Sequence, residues 1–314
     1  MPPPRTPFHP GEIEVQRRIG VRAEAEQVGG IIGGQIPAAF VPILAAFRLV
    51  VAASIEARGR VWASLLTGPS GFLRAVDATR VHLDARPAPG DPLAANLAAR
   101  ADLGLLAFDP ATRRRVRFNG KGVLGRDGGI GLEVEQVYGN CRKYIQLRHL
   151  QGEAPRAGEA PAAGGGSTRG TATRRSAALS AAQQAWISGT DTFFIASAHP
   201  EGGADASHRG GRPGFVQVAG DRRLSFGDYA GNNMFNTLGN LMADTRAGLL
   251  FADFASGDLL QLTGRARLNW ERAVLAGHRG AEHVVVEFEV DEVLETRGGS
   301  PLRWALVERS PVNP

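Results

Sequence analysis

At 314 residues, 43% of them apolar and 21% charged, the chain has room for two ordinary domains and is too apolar for general disorder. It holds no apolar run of the roughly 18 residues a membrane helix needs. The opening Met1-Pro2-Pro3-Pro4-Arg5 lacks a signal-like apolar core, and the single Cys141 excludes an intramolecular disulfide, so a cytoplasmic protein is expected. A net charge of +5 and a pI near 10.1 invite a nucleic-acid partner, but 34 of the 36 basic residues are arginines with no interleaved aromatics, which argues against one.

In chain order, residues 1–46 read as an N-terminal helical lead-in, with a helix over Gly11–Gly20. Gly29-Gly30-Ile31-Ile32-Gly33-Gly34 misses the dinucleotide fingerprint and follows no strand, so it is read as a loop. Residues 47–150 carry strands at Arg48–Ser54 and Val61–Leu66, then a hairpin turning near Asp77-Ala78. Asp91-Pro92 caps and starts a short helix, and strands follow at Leu103–Phe108, Val116–Val123 and Gly131–Val137. The run Arg113-Arg114-Arg115 is expected to be a solvated loop. Six or so strands with one short helix describe a small β-barrel.

Residues 151–177, with Gly164-Gly165-Gly166-Ser167-Thr168, read as a flexible linker. Residues 178–314 then repeat the first barrel: a lead-in helix (Leu179–Ile187), strands at Thr192–Ser197 and Ala204–Arg209, and a hairpin near Gly220-Asp221. A helix capped by Asn232 or Asn233 is followed by strands at Gly248–Phe254, Leu259–Leu268 and His283–Val290, with a helical insertion near Trp270–Gly277. The repeat shows at offsets of 143 and 144 residues: Ala53-Ser54 falls on Ala196-Ser197, Gly71-Phe72 on Gly214-Phe215, Asn96-Leu97 on Asn240-Leu241, and Gly104-Leu105-Leu106 on Gly248-Leu249-Leu250.

Three words of the second copy carry a family resemblance: Ala204-Asp205-Ala206-Ser207-His208-Arg209-Gly210-Gly211-Arg212-Pro213-Gly214-Phe215, Gly231-Asn232-Asn233-Met234-Phe235-Asn236-Thr237-Leu238-Gly239-Asn240, and Ala247-Gly248-Leu249-Leu250-Phe251. Together they resemble the pyridoxamine 5'-phosphate oxidase-like FMN-binding split barrels. The resemblance implies a mainly β fold with short helices, here two fused split β-barrels forming an intramolecular pseudo-dimer, with FMN at the interface of the barrels. It extends to Tyr138-Gly139-Asn140-Cys141-Arg142-Lys143-Tyr144-Ile145-Gln146 after the first barrel's last strand, which is similar to a Cys-x-Lys segment of single-copy relatives. The first copy has Leu65-Leu66-Thr67-Gly68 opposite His208-Arg209-Gly210-Gly211, so only the second copy is expected to hold a phosphate.

The residue chemistry fits such a ligand. Arg209 offers a bidentate fork to a phosphate, and Ser207 lies on the same strand face. Gly210 and Gly211 admit close backbone approach, and Asn232, Asn233 and Asn236 can bond polar atoms of the ligand. Cys141, Lys143, Tyr144 and Gln146 are expected from the first copy, with Lys143 a phosphate or flavin contact. His208 is a candidate proton donor. His278 and His283 lack the partners of a metal site. The expected function is an FMN-dependent oxidoreductase, with a pyridine nucleotide or protein as electron donor and a homodimer as one assembly. The alternatives are a non-catalytic flavin-binding or sensing module, and a deazaflavin- or haem-binding split barrel.

Overall fold

The computed structural model describes residues 6–154, 172–201, 203–271 and 284–314. Helices α1 (Pro10–Ile19) and α2 (Arg22–Gly29) open the chain, and α3 (Val41–Leu44) leads into the first sheet. That sheet is built from β1 (Leu49–Ile55), β2 (Val61–Thr67), β3 (Leu73–Ala75), β4 (Arg80–Leu83), β5 (Asp102–Asp109), β6 (Arg114–Leu124) and β7 (Ile130–Gly139), with α4 (Leu93–Ala99) between β4 and β5. Its strand order is β2-β1-β5-β6-β7-β4-β3. After β8 (Leu147–Glu153) and β9 (Ala172–Ser176), helix α5 (Ala181–Gly189) introduces the second sheet. Here the strands are β10 (Thr192–His199), β11 (Gly203–Gly210), β12 (Val216–Val218), β13 (Arg223–Gly227), β14 (Arg246–Ala252), β15 (Leu259–Asn269) and β16 (Val285–Arg297), with α6 (Asn236–Ala243) before β14. The order β11-β10-β14-β15-β16-β13-β12 is the first order again, strand for strand. Lastly β17 (Leu302–Glu308) pairs with β8, joining the ends of the two halves in a two-stranded ribbon.

The likeness of the halves reaches single contacts. Asn96 donates to Ser54 Oγ at 2.9 Å, and Asn240 donates to Ser197 Oγ at 2.9 Å. The register of β6 on β7 shifts between Asn119 and Gly120, and that of β15 on β16 between Thr263 and Gly264. Strands β1 and β10 are buried along their whole length, which is why they read as unbroken apolar runs. Val50 and Ala52 fill the first barrel and Phe193 and Ile195 the second, while Val51, Ala53, Phe194 and Ala196 meet in a third core between the barrels.

Close approach at this interface falls on matched glycines. A Cβ at Gly104 would stand 2.5 Å from the Ala204 carbonyl oxygen, and one at Gly248 2.7 Å from that of Val61. Because the obstacles are backbone, Gly104→Ala is expected to cost about 1–3 kcal/mol, as overpacking a dense core does. A thermal or urea melt measures it, and a loss below roughly 0.5 kcal/mol, within the range of ordinary surface changes, would mean the barrels do not close this tightly.

Three expectations need correction. The stretch 151–177 is not linker throughout: β8 runs to Glu153 and β9 pairs with β16, while residues 155–171 lie outside the described residues. Arg113-Arg114-Arg115 is not a free loop, because β6 begins at Arg114. Asp91 does accept from the Leu93 amide at 2.8 Å at the start of α4, but α6 starts after Phe235 without a side-chain cap, and Asn232 instead accepts from the Met234 amide at 3.2 Å. The insertion after Trp270, apart from Glu271, and both His278 and His283 fall outside the described residues.

Candidate functional site

On β6 the two-residue period sends Arg115, Arg117 and Asn119 to one face. In an isolated barrel that face would meet solvent; here it meets β11. Arg117 is 5% exposed and pairs with Asp205 at 2.8 Å. Its two terminal nitrogens also donate to the Tyr138 hydroxyl at 2.9 Å, Asn236 Oδ1 at 2.7 Å and Ser207 Oγ at 2.5 Å. One guanidinium from the first barrel therefore ties together β11 and the start of α6 from the second.

These groups form one wall of an open cleft between the halves. The first half contributes Cys141, Lys143 and Tyr144 from the segment after β7, with Arg115, Arg117 and Asn140. From β11 come Ser207, His208, Arg209 and Gly210. The turn before α6 and its first residues add Asn232, Asn233, Phe235, Asn236, Thr237 and Leu238, and Asp228 and Tyr229 close the rim. Tyr144, Asn233 and Phe235 take left-handed backbone conformations, with φ of 66°, 60° and 60°. Such strain in non-glycine residues gathers at ligand-binding turns.

Two expected residues stand elsewhere. Gly211 packs under Phe215, where a Cβ would be 2.5 Å from the ring, and its amide bonds Asp191. Gln146 is fully buried and binds the Tyr144, Asp191 and Gly211 carbonyls and Asn313, so it anchors the C-terminal end of the chain. Gly210 does line the cleft, but the close approach it admits is that of the Tyr144 backbone, at 2.0 Å from a built Cβ. His208 is buried between the Phe108 and Phe194 rings with Arg115 at 3.1 Å from Nδ1. Burial, then Arg115, Arg209 and Arg148, hold it well below the usual histidine range, so it is neutral and not a cationic proton donor.

The cleft is strongly cationic. Arg115, Arg117, Lys143 and Arg209 outnumber Asp228 and the Asp205 behind them. Burial, then repulsion from Arg117 and Arg209, pushes Arg115 down to about 9, which leaves it charged at neutral pH. Arg209 is likewise lowered, by burial first, and its nearest carboxylate oxygen, on Asp228, is 3.7 Å away. Among the described residues nine buried polar side-chain atoms lack a hydrogen-bond partner, and five of them belong to this cleft: Arg117 Nε, Asn140 Nδ2, His208 Nε2, Arg209 Nε and Thr237 Oγ1. Buried donors are rarely left unmatched. An anionic ligand with several acceptors suits this set.

The matching place across the pseudo-twofold is filled. There Gln261, the counterpart of Arg117, donates to the Ala63 carbonyl at 2.9 Å and to Asp91 at 2.9 Å, and Ser64 donates to Asp91 at 2.7 Å. Asp91 puts a carboxyl group where a phosphate would need cations, and β9 lies alongside, with Thr173 and Arg175 bonded to the Pro89 and Gly90 carbonyls. Among the described residues no group of three His, Cys, Asp or Glu side chains could hold a metal ion, and no helix is long and apolar enough to cross a membrane.

Sequence reasoning missed Arg115 and Arg117. The available signal was the alternation Arg115-x-Arg117-x-Asn119 on a strand whose counterpart face carries Asp205 and Ser207.

Residues 179–297 match the family model described as pyridoxamine 5'-phosphate oxidase. No curated protein matches the chain. Among solved structures it is similar to HupZ of Group A Streptococcus (12% identity, 39% of this chain and 98% of that one, TM-score 0.32). A FAD-binding protein of Mycobacterium smegmatis is also similar (15% identity, 39% and 98%, TM-score 0.28), as is a FAD-binding protein of Mesorhizobium loti (14%, 40% and 97%, TM-score 0.28).

Proposed function

We propose that this chain, whose residues 179–297 belong to the pyridoxamine 5'-phosphate oxidase family, is a cytoplasmic flavoprotein that binds one FMN in the cleft between its barrels and acts as an oxidoreductase. The observation that carries the reading is the gathering, in one cleft and from both halves, of four cations and five unpartnered polar atoms, with the opposite cleft occupied by Asp91 and Gln261. A phosphomonoester dianion answers both the charge and the missing acceptors. Arg209 is assigned to the phosphate, with Lys143 reaching over from the first half, while Ser207, whose one proton goes to Asp205, seats Arg117 behind them. Asn140, Asn232, Asn233, Asn236 and Thr237 suit the ribityl hydroxyls, and Tyr144, Tyr229, Phe235 and Leu238 the ring. The bound flavin would supply the redox chemistry; the chain's part is to hold it, orient it and set the field around it. With His208 neutral, that field comes from the three arginines and Lys143.

The test is the chromophore released on denaturation, identified by mass and counted per chain. One FMN per chain is expected. Recovery of FAD, a deazaflavin or haem alone, or of two flavins per chain, would overturn the assignment. Turnover of a pyridine nucleotide by the loaded protein separates an enzyme from a flavin-sensing module.

A further inference from the structure

The N-terminal helix belongs in sequence to the first half, yet α1 lies on α6 of the second. The contact is backbone-close: a Cβ at Gly11 would fall 2.2 Å from the Gly239 carbonyl oxygen. That closeness brings the Glu12 side chain behind the cleft. We propose that Glu12 is a positioning residue of the cofactor site, holding Asn236 and through it Arg117 in the arrangement that receives the ligand; this rests on the flavin reading above.

Glu12 Oε1 accepts from Asn236 Nδ2 at 2.5 Å, and Oε2 accepts from the His9 amide at 2.9 Å. Asn236 then turns Oδ1 to Arg117 Nη1 at 2.7 Å, and Arg117 Nη2 reaches Ser207. An amide has a donor end and an acceptor end, and an ionised carboxylate takes only donors. Glu12 therefore fixes which end of Asn236 faces Arg117. Four residues away on the same helix face, Gln16 donates to the Met234 carbonyl at 3.2 Å, so α1 also holds the strained turn that carries Asn233 and Phe235.

The charged and titratable surroundings are His9 on the helix's own N-cap, Arg117 from β6, Tyr138 from β7 and Asp205 from β11, with His199 of β10 stacked on His9 at 4.0 Å. Burial, reinforced by Asp205, pushes Glu12 up to about 7 against the pull of the His9 amide, Asn236 and Arg117. Both Glu12 oxygens accept, one from Asn236 and one from the His9 amide, whereas a glutamine offers a single acceptor and sets its NH2 against the other donor. A residue that only docked α1 would leave FMN affinity untouched on that change, and a positioning residue would not. In the unfolded chain the acid ionises near 4.5, so its cost to the fold is absent below that pH, builds between 4.5 and about 7, and is complete above.

The experiment uses the full chain and FMN itself. Without FMN, Glu12→Gln should flatten the wild type's loss of melting temperature between pH 5 and 8. The same variant should bind FMN more weakly by roughly five- to tenfold, the scale of one hydrogen bond. In an Asn236→Ala background it should cost no further affinity, because the effect passes through that amide. Unchanged FMN affinity in the variant, whatever its melting temperature, would make Glu12 a docking residue only and overturn the proposal. So would full additivity with Asn236→Ala. Failure of the wild type itself to bind FMN would instead strike the flavin reading, and this proposal with it.

Discussion

Arg117→Ala is expected to destabilise the protein by about 3–5 kcal/mol, because it strips the partner from a charge that cannot reach water. Asp205 is 4% exposed at its side chain and would keep only Ser207 and Asn119 as neutral partners. The same deletion frees the Tyr138 hydroxyl and Asn236, so FMN binding should fall as well. Urea denaturation gives the stability change. The double replacement Arg117→Ala with Asp205→Ala should recover part of the loss, since no unpaired carboxylate then remains. A single-variant loss under roughly 1 kcal/mol, the scale of an exposed pair, would show that the ion pair is solvated.

For Arg209→Ala the expected effect is on the ligand. Its guanidinium is held loosely, by the His208 carbonyl at 3.2 Å and Asp228 at 3.7 Å, and its Nε has no partner. Removing it should therefore leave folding nearly intact while weakening FMN by about 1.5–3 kcal/mol, tenfold to over a hundredfold. Lys143→Ala, on the other half of the chain, should weaken FMN too. Titration of FMN fluorescence measures both. An unchanged dissociation constant for Arg209→Ala with an intact melt would remove the residue from the phosphate site, and an unchanged Lys143→Ala would remove Lys143 from it.

How much of this could be read from the sequence follows from which face each pattern reports. Strands such as β7 alternate cleanly, Ile130, Leu132 and Val134 inward and Glu133 and Glu135 outward, and such strands are legible. Ser207 and Arg209 could be picked out as cleft-lining residues, because Gly-Gly and Asn-Asn clusters mark the turns around them. What alternation cannot report is whether an outward face meets water or another barrel. On β6 Arg115 was read into a solvated loop and Arg117 was passed over, and only the approach of β11 brings both into the cleft. Gln146 failed the other way: its place beside Lys143 and Tyr144 suggested a ligand contact, but it turns inward to carbonyls that no local pattern identifies. Strand β9 was invisible because Ala172–Ser176 is exposed or half-buried along its length and lacks any apolar period.

Covalent continuity between the halves has a further effect. When an interfacial site is built by two identical subunits, dilution takes it apart, and every substitution is entered twice, once on each side of the axis. The β8–β17 ribbon and the continuous chain remove the first constraint, since the partner barrel cannot diffuse away. They also remove the second. Leu66 and Arg209 stand at matched strand positions, opposite Val50 and Phe193. Identical subunits would have to carry the same residue at both places. In one chain the first position can be given to packing and the second to charge, so a change at either is judged by its own surroundings alone.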